Sequence, residues 1–187
     1  MKAILITFLI FNVGLSFGQT SYSKLDSIIL EDGEVFYSLE EGAMSGNKRI
    51  GDWSKYQFTS RDTTKRLAVL VSYLKNKPKE RSVFGLDGKV VTVFDKKGRP
   101  ISEVQYRYGK KVWSRELVGT KKTLKKTYYP DGQVSGEGYE VLVEIIAGCD
   151  AGMKMFVEEG VWKYYDTTGE PLDEIVKKLN KNVFKKV

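Results

Sequence analysis

The chain lacks histidine altogether and has a single cysteine, Cys149, among its 187 residues. Without histidine it cannot build a Ser-His-Asp or Cys-His catalytic arrangement or a histidine zinc site, and it lacks the side chain that most often acts as a general base near neutral pH. One cysteine forms neither an internal disulfide nor a thiolate zinc cluster. We therefore predict a non-enzymatic protein with no catalytic residue, no metal site and no cofactor.

Long apolar runs are also missing, except at the start of the chain. There Lys2 precedes the run AILITFLIF, and the small residues Ser16 and Gly18 follow it. Signal peptidase recognises this pattern, so we expect cleavage after Gly18 and export of the mature chain, residues 19–187. The alternative is an uncleaved membrane anchor. It is less favoured because a spanning helix needs roughly 20 apolar residues, and Asn12 interrupts this run.

Nothing in the sequence divides the mature chain. It has only 4 prolines and no Pro-rich or Ser/Gly-rich linker. We therefore predict one domain over residues 19–187, a length that suffices for a hydrophobic core. The formal net charge is +7. A basic excess of this size suits an anionic partner, although in a lysine-rich chain it also simply favours solubility.

The chain does contain a recurring frame, in which an aromatic residue is followed four positions later by glycine. The four copies run from Phe84 to Gly88, from Phe94 to Gly98, from Tyr128 to Gly132 and from Tyr165 to Gly169. In a β-hairpin the glycine adopts the positive φ that the turn requires, and the aromatic residue ends the incoming strand. The frame therefore predicts a series of related hairpins.

A second fragment, Gly-x-Trp, occurs at residues 51–53 and 160–162, and its second copy continues into the turn frame as EGVWKYYDTTGEPL. This combination resembles the bacterial variant of the MORN-repeat family. The residues that carry the resemblance are Gly160, Trp162, Tyr164, Tyr165 and Gly169. The resemblance implies a repeat β-sheet and a role in protein interaction, including antitoxin-like or immunity-like functions.

Short apolar stretches separated by Gly, Asp and Lys-rich turns predict strands almost throughout. The predicted strands are residues 27–30, 34–39, 53–59, 66–74, 81–84, 90–94, 101–108, 112–118, 124–129, 133–145, 153–158 and 161–165. We therefore predict an all-β antiparallel meander of degenerate MORN-like hairpins. At the end, apolar residues at helical spacing after Pro171 predict a short C-terminal helix over about residues 172–183, which would cover the open end of the sheet.

Two groups of side chains are candidates for binding a partner. The candidate binding face is Trp53, Tyr128, Trp162, Tyr164 and Tyr165. The candidate basic patch is Lys121, Lys122, Lys125 and Lys126, and further lysines follow within residues 177–186. Both groups have a plainer interpretation, because rings mostly pack along a sheet and lysines protect edge strands. As binding surfaces they suit a protein, or an anionic glycan or lipid surface; nucleic acid is not expected for an exported chain.

Residues 141–160 form the least regular segment. An apolar stretch enters small residues around Cys149 and an apolar stretch returns, which predicts a long hairpin. One interpretation buries Cys149 as a small packed residue. The other exposes it at the tip of an arm that adds to the sheet of a partner. The stretch GAMSGNKR at residues 42–49 lacks the spacing of a phosphate-binding loop, and we predict a mobile loop between strands there.

These observations favour an exported binding or scaffold protein of the bacterial envelope, either periplasmic, outer-envelope-associated or secreted, that uses a repeat β-sheet to hold another macromolecule. The alternative is a carbohydrate-binding or carboxylate-dependent glycan-processing accessory protein, since Trp and Tyr stack on sugars and glycosidases need two carboxylates. No carboxylate pair stands out for that role. The functional prediction rests on composition and resemblance, because a fold does not determine a function.

Overall fold

A computed structural model of the chain describes residues 6–10 and 19–187. The contacts divide the chain into two compact units, the first ending at Arg99 and the second beginning at Pro100. Successive strands pair antiparallel within each unit, and the described residues contain no helix. The predicted all-β antiparallel meander is thus confirmed. Most of the predicted signal peptide, residues 1–5 and 11–18, lies outside the described residues, and the single domain over residues 19–187 stays a prediction.

The first unit is a meander of seven described strands. Their bounds are β1 Ile6–Ile10, β2 Gln19–Ile29, β3 Val35–Ser45, β4 Lys48–Thr59, β5 Arg66–Leu74, β6 Lys77–Phe84 and β7 Gly88–Phe94. Each strand pairs with the next in an antiparallel register. The predicted mobile loop at residues 42–49 is wrong. The strands β3 and β4 continue to Ser45 and from Lys48, so that a tight turn containing Gly46, with φ of 55°, joins them.

The second unit contains six sequential strands and one short strand that departs from the order. Their bounds are β8 Pro100–Arg107, β9 Lys110–Leu117, β10 Lys122–Tyr128, β11 Val134–Ile145, β12 Lys154–Tyr165, β13 Pro171–Lys177 and β14 Phe184–Lys186. Strands β8 to β13 form a meander, whereas β14 pairs with β11. The C-terminal segment therefore returns across the unit after β13 ends.

Three of the four predicted aromatic-to-glycine frames close the same loop. The loops are residues 95–99, 129–133 and 166–170. In each, the amide of the first residue donates to the carbonyl of the fifth at 2.8–2.9 Å, and the glycine amide donates back to the carbonyl of the first. The three glycines have φ between 82° and 97°. This is the three-residue hairpin loop with a left-handed glycine that forms a bulge.

The fourth predicted frame does not form this loop, whereas a stretch without the frame does. At Phe84 to Gly88 the hairpin is shorter, because Gly85 N donates to Gly88 O at 2.8 Å and Gly88 already begins β7. By contrast, residues 30–34 form the same loop as the other three, with Gly33 at φ of 80°. The frame missed this copy because Ile29, and not an aromatic residue, precedes it.

The predicted C-terminal helix over about residues 172–183 is wrong. Residues Pro171–Lys177 form β13, which pairs along β12 from Tyr165 to Gly160. The outer edge of β12 offers backbone hydrogen bonds, and the β-branched pair Ile175 and Val176 favours a strand. A helix this short is marginal unless it packs on an apolar surface. Leu172 and Val176 remain 65% and 62% exposed, which shows that no such surface covers them.

Few side chains are buried among the described residues. The buried apolar side chains are Leu39 and Trp53 in the first unit and Val143 and Trp162 in the second. Ser82, Thr92, Ser114, Thr123 and Glu140 are the buried polar residues. No buried side-chain nitrogen or oxygen of the described residues lacks a hydrogen-bond partner. Stability therefore depends on strand pairing, on the two tryptophans and on satisfied polar contacts.

Candidate binding site

Each unit contains one tryptophan that lies on a glycine of the neighbouring strand. In the first unit Glu41 pairs with Ser54 and Ala43 with Ile50, so that three residues of β4 span the length of Gly42 alone. This is a bulge, and Gly51 within it has φ of 63°. The Trp53 ring is 2% exposed, and a methyl group added to Gly42 would lie 2.3 Å from a ring carbon. The glycine is therefore required for the ring to lie on the backbone.

The second unit repeats this arrangement. Three residues of β12 span Gly138 of β11, and Gly160 within the bulge has φ of 88°. Trp162 is 1% exposed, and a methyl group on Gly138 would also lie 2.3 Å from a carbon of its ring. Its indole nitrogen donates to Tyr139 O at 3.3 Å, as that of Trp53 donates to Ala43 O at 3.1 Å. We call Gly42 with Trp53, and Gly138 with Trp162, the two Gly–Trp units.

The predicted binding face is not one exposed surface. Trp53 lies in the first unit and the other four residues in the second. Tyr164 and Trp162 share a face of β12, where Tyr164 covers Gly136. Tyr128 contacts the ammonium of Lys111, which lies 4.1 Å from its ring centre, and its hydroxyl lies 2.8 Å from Ser114 Oγ. The buried tryptophans hold strands together and offer no ring surface to a partner.

The hydroxyl of Tyr165 belongs to a polar cluster with Glu137 and Lys126. It donates to Glu137 Oε1 at 2.8 Å, and Lys126 Nζ lies 3.1 Å from Glu137 Oε2. The hydrogen bond from Tyr165, followed by that from Lys126, lowers the pKa of Glu137. The same bonds raise the pKa of Tyr165 and of Lys126. These groups are already paired, so they are not free for a ligand.

A ladder of ion pairs crosses all six meander strands of the second unit on the Trp162 face. Its members, in strand order, are Glu103, Arg115, Lys125, Glu140, Glu158 and Lys177. The shortest contact joins Arg115 Nε to Glu140 Oε2 at 2.6 Å, and Lys125 Nζ lies 3.0 Å from Glu140 Oε1. Glu140 is only 2% exposed. A buried carboxylate is tolerated here because two cations and Thr123 Oγ1 satisfy it.

The opposite face of the second unit carries a cleft lined by residues of β11 and of the C-terminal segment. Strand β13 lies at the outer edge of β12, whereas β14 pairs with Val143–Ile145 of β11, past Val141, which is opposite the first residue of β10. The segment between them, residues 178–183, must therefore cross the sheet. It encloses a cleft of about 1090 Å³. We call it the lysine cleft.

Six lysines surround the lysine cleft together with one carboxylate. They are Lys122, Lys177, Lys178, Lys181, Lys185 and Lys186, and the carboxylate is Glu159. Lys186 pairs with Glu159 at 2.7 Å. Lys177 lines the cleft, but its ammonium lies 3.6 Å from Glu158 in the ladder on the opposite face. Within the described part of the chain, Lys178, Lys181 and Lys185 form no ion pair. Lys178 and Lys181 therefore provide two unpaired ammonium groups beside the cleft, whereas Lys185 lies opposite Glu144 and, by strand alternation, on the same face of the sheet as Glu140.

The cleft has an apolar floor beneath these lysines. Tyr139 and Val141 of β11 and Ile146 line it from the sheet, Leu179 lines it from the crossing segment, and Phe184 lines it from β14. Tyr139 and Ile146 are 41% and 47% exposed. The ammonium of Lys122 lies 3.7 Å from the centre of the Tyr139 ring and covers it. The cleft thus combines an apolar base with a positive rim.

The four lysines of the predicted basic patch lie in four different environments. Lys122 lines the lysine cleft, whereas Lys125 is opposite Gly138 and joins the ion-pair ladder on the Trp162 face. Lys126 pairs with Glu137, and Lys121 is exposed just before β10. The lysines of residues 177–186 are the principal ones of the site. The sequence does not indicate that they lie near Lys122, because it is the long-range pairing of β14 with β11 that brings the two groups together.

Cys149 is exposed in the loop between β11 and β12. The interpretation that buries it is therefore wrong. The long hairpin is confirmed, with strands of 12 residues each. On the side that faces β10, however, Val143–Ile145 already pairs with β14, so that this part of the arm is not open to a partner strand.

Comparisons with known proteins assign no family. No protein-family model matches the chain, and no curated protein is significantly similar to it. In the described residues we find no helix that is both long and apolar enough to cross a bilayer. Nor do these residues bring together three or more His, Cys, Asp or Glu side chains in a group that could hold a metal ion.

Proposed function

We propose that this chain is an exported, non-enzymatic binding or scaffold protein of the bacterial envelope, and that its repeat β-sheet holds an anionic macromolecule at the lysine cleft. The observation that carries the proposal is the pair of unpaired lysines on the crossing segment, Lys178 and Lys181, beside an apolar floor. Like charges held close together repel one another, so an anionic ligand that sits among them relieves that repulsion.

The size of the cleft supports a macromolecular ligand. Pockets for small molecules span about 300–1,000 Å³ and enclose most of the ligand. The lysine cleft measures about 1090 Å³ and lies on the face of a sheet. A segment of a longer chain fits a site of this size and openness. The resemblance of residues 160–172 to MORN-variant repeats supports the same role, including an antitoxin-like interaction with another protein.

Affinity capture tests this proposal. The mature chain, residues 19–187, is immobilised and exposed to envelope and culture fractions of its own cell, and bound material is identified by mass spectrometry. The variant K178E/K181E/K185E should lose the bound macromolecule. The matched control is K65E/K79E/K97E, which changes the net charge equally at exposed lysines of the first unit that form no ion pair among the described residues. Equal capture by both variants would exclude the cleft as the binding site.

A further inference from the structure

The chemistry of the lysine cleft restricts the kind of anion that it can hold. The basic residues that line it are all lysines, and none is an arginine. Arginine grips one carboxylate or phosphate with a rigid two-pronged fork, whereas lysine provides a mobile point charge on a flexible stem. The cleft therefore suits several separate charges spread along a ligand better than one anionic group held in a fixed geometry.

The floor of the cleft argues against a sugar. Carbohydrate sites use the flat face of an exposed aromatic ring, and Tyr139 is the only tyrosine or tryptophan among the residues that line this cleft. Lys122 occupies one face of that ring at 3.7 Å. The other lining side chains of the floor are Val141, Ile146, Leu179 and Phe184. Their surface gains free energy when it is covered by other apolar groups.

We infer that the lysine cleft holds an acidic polypeptide segment in which apolar side chains alternate with carboxylates. An extended segment points successive side chains to opposite sides. Its apolar side chains can then cover Ile146 of the sheet and Leu179 of the crossing segment while its carboxylates face Lys178 and Lys181. This inference rests on the proposed function, because it names the ligand class of the same site.

Fluorescence anisotropy of labelled peptides tests the inference on the mature chain. The probe is a peptide of alternating Glu and Leu. The first comparison peptide replaces Leu with Ser and keeps the charge, and the second replaces Glu with Lys and keeps the apolar residues. The Glu/Leu peptide should bind most tightly and the Lys/Leu peptide should not bind. Binding should weaken with salt, because exposed charges are screened.

Two variants separate the rim from the floor. K178E/K181E/K185E should weaken binding of the Glu/Leu peptide about tenfold or more, because the favourable charge pairs at Lys178 and Lys181 become repulsive, whereas the control K65E/K79E/K97E should leave it unchanged. Leu179→Ser should weaken binding of the Glu/Leu peptide and leave that of the Glu/Ser peptide unchanged. Circular dichroism and thermal unfolding of each variant verify that it is folded.

A soluble uronic-acid polysaccharide and vesicles of anionic phospholipid complete the test. If either binds at the lysines while the Glu/Leu peptide does not, the peptide inference is overturned and the proposed binding function survives. Equal affinity for the Glu/Leu and Glu/Ser peptides would also overturn the inference, since the floor would then contribute nothing. If the folded protein binds none of these probes, both proposals fail.

Discussion

The two Gly–Trp units have the same backbone geometry and opposite surroundings. In both, a three-residue bulge with a left-handed glycine places an indole ring on a glycine of the neighbouring strand. Register then assigns three equivalent positions around each ring. They are Tyr22, Arg49 and Tyr73 in the first unit, and Lys125, Glu158 and Lys177 in the second.

The first set places a cation among aromatic rings, and the second an anion between lysines. The Arg49 guanidinium lies 4.3 Å from the centre of the Trp53 ring and donates to Tyr73 Oη at 3.2 Å. Lys125 and Lys177 each lie 3.6 Å from Glu158. The backbone bulge and the indole–glycine contact therefore define a Gly–Trp unit. The residues around the indole can differ, provided that each charged side chain contacts either an opposite charge or an aromatic ring.

The largest expected effect comes from the shared element. Gly42→Ala and Gly138→Ala should each destabilise the protein by about 3 kcal/mol, since the added methyl group would overlap a buried indole ring. If the two Gly–Trp units are equivalent, the two losses of unfolding free energy should agree closely. Chemical denaturation measures them, with Gly119→Ala as a control in open space, where the nearest atom is 4.0 Å away. A mild effect at either glycine would show that its ring can shift.

A smaller effect on stability should come from removing one carboxylate in each half of the chain. Glu140→Gln removes the buried carboxylate that Arg115 and Lys125 share, and should cost about 2 kcal/mol because two cations lose their common anion. Glu40→Gln in the first unit breaks the ion pair with Arg49, whose side chain is 35% exposed, and should cost about 0.5 kcal/mol. Denaturation in low and high salt measures both. Equal losses would contradict the burial difference.

Arg49 and Glu158 are equivalent by register and sharpen the comparison further. Arg49→Lys should cost about 1 kcal/mol, because the smaller ammonium cannot stack on Trp53 while it also reaches Tyr73 and Glu40. Glu158→Gln loses only two partly exposed pairs at 3.6 Å and should cost less than about 0.5 kcal/mol. Thermal unfolding measures which substitution destabilises the protein more. A larger effect of Glu158→Gln than of Arg49→Lys would contradict the packing of Arg49 against the Trp53 ring.

Most strands could be predicted from sequence because apolar alternation and turn glycines are local signals. The Gly-x-Trp pattern identifies Gly51 and Gly160. It does not identify Gly42 and Gly138 as the glycines on which the indole rings lie, because each of these is on a different strand from its tryptophan. Residues 172–183 were assigned to a helix because their apolar spacing fits both a helix and a strand. The free edge of β12 decides between them, and no local pattern reports a free edge.

The lysine cleft could not be predicted for a related reason. Its two lysine groups were visible, at residues 121–126 and 177–186. Their combination depends on three residues of β14 that pair with β11 about 40 residues earlier in the chain. Long-range pairing of so short a strand leaves no periodicity to read. The alternation of side chains along β10 also places Lys125 and Lys122 on opposite faces of the sheet, although they are close together in the sequence.

The smallest effect concerns the hairpin loops, which also occur in both units. In the first unit Asp95 Oδ1 accepts the amides of Lys97 and Arg99, and these bonds, that from Arg99 above all, lower the pKa of Asp95 from 3.8 to about 2. In the second unit Asp166 makes the equivalent bonds, and Thr168, followed by the amide of Glu170, lowers its pKa. Because the folded pKa lies below the unfolded one, each carboxylate stabilises its loop above pH 4, and this contribution is lost as the pH falls through the folded pKa.

Carbon-detected NMR titration of the aspartate carboxyls tests this, with Asp95 expected to titrate near pH 2. In Asp95→Asn the amides of Lys97 and Arg99 should exchange faster with solvent at neutral pH, and their exchange should no longer respond to acid beyond the intrinsic pH dependence. The loop at residues 166–170 should be unaffected by that change and should respond in the same way to Asp166→Asn. Because the two loops lie in different units, a titration midpoint near 4 for one carboxyl alone would show that only the other loop is closed in solution, and would break the equivalence that the shared turn implies.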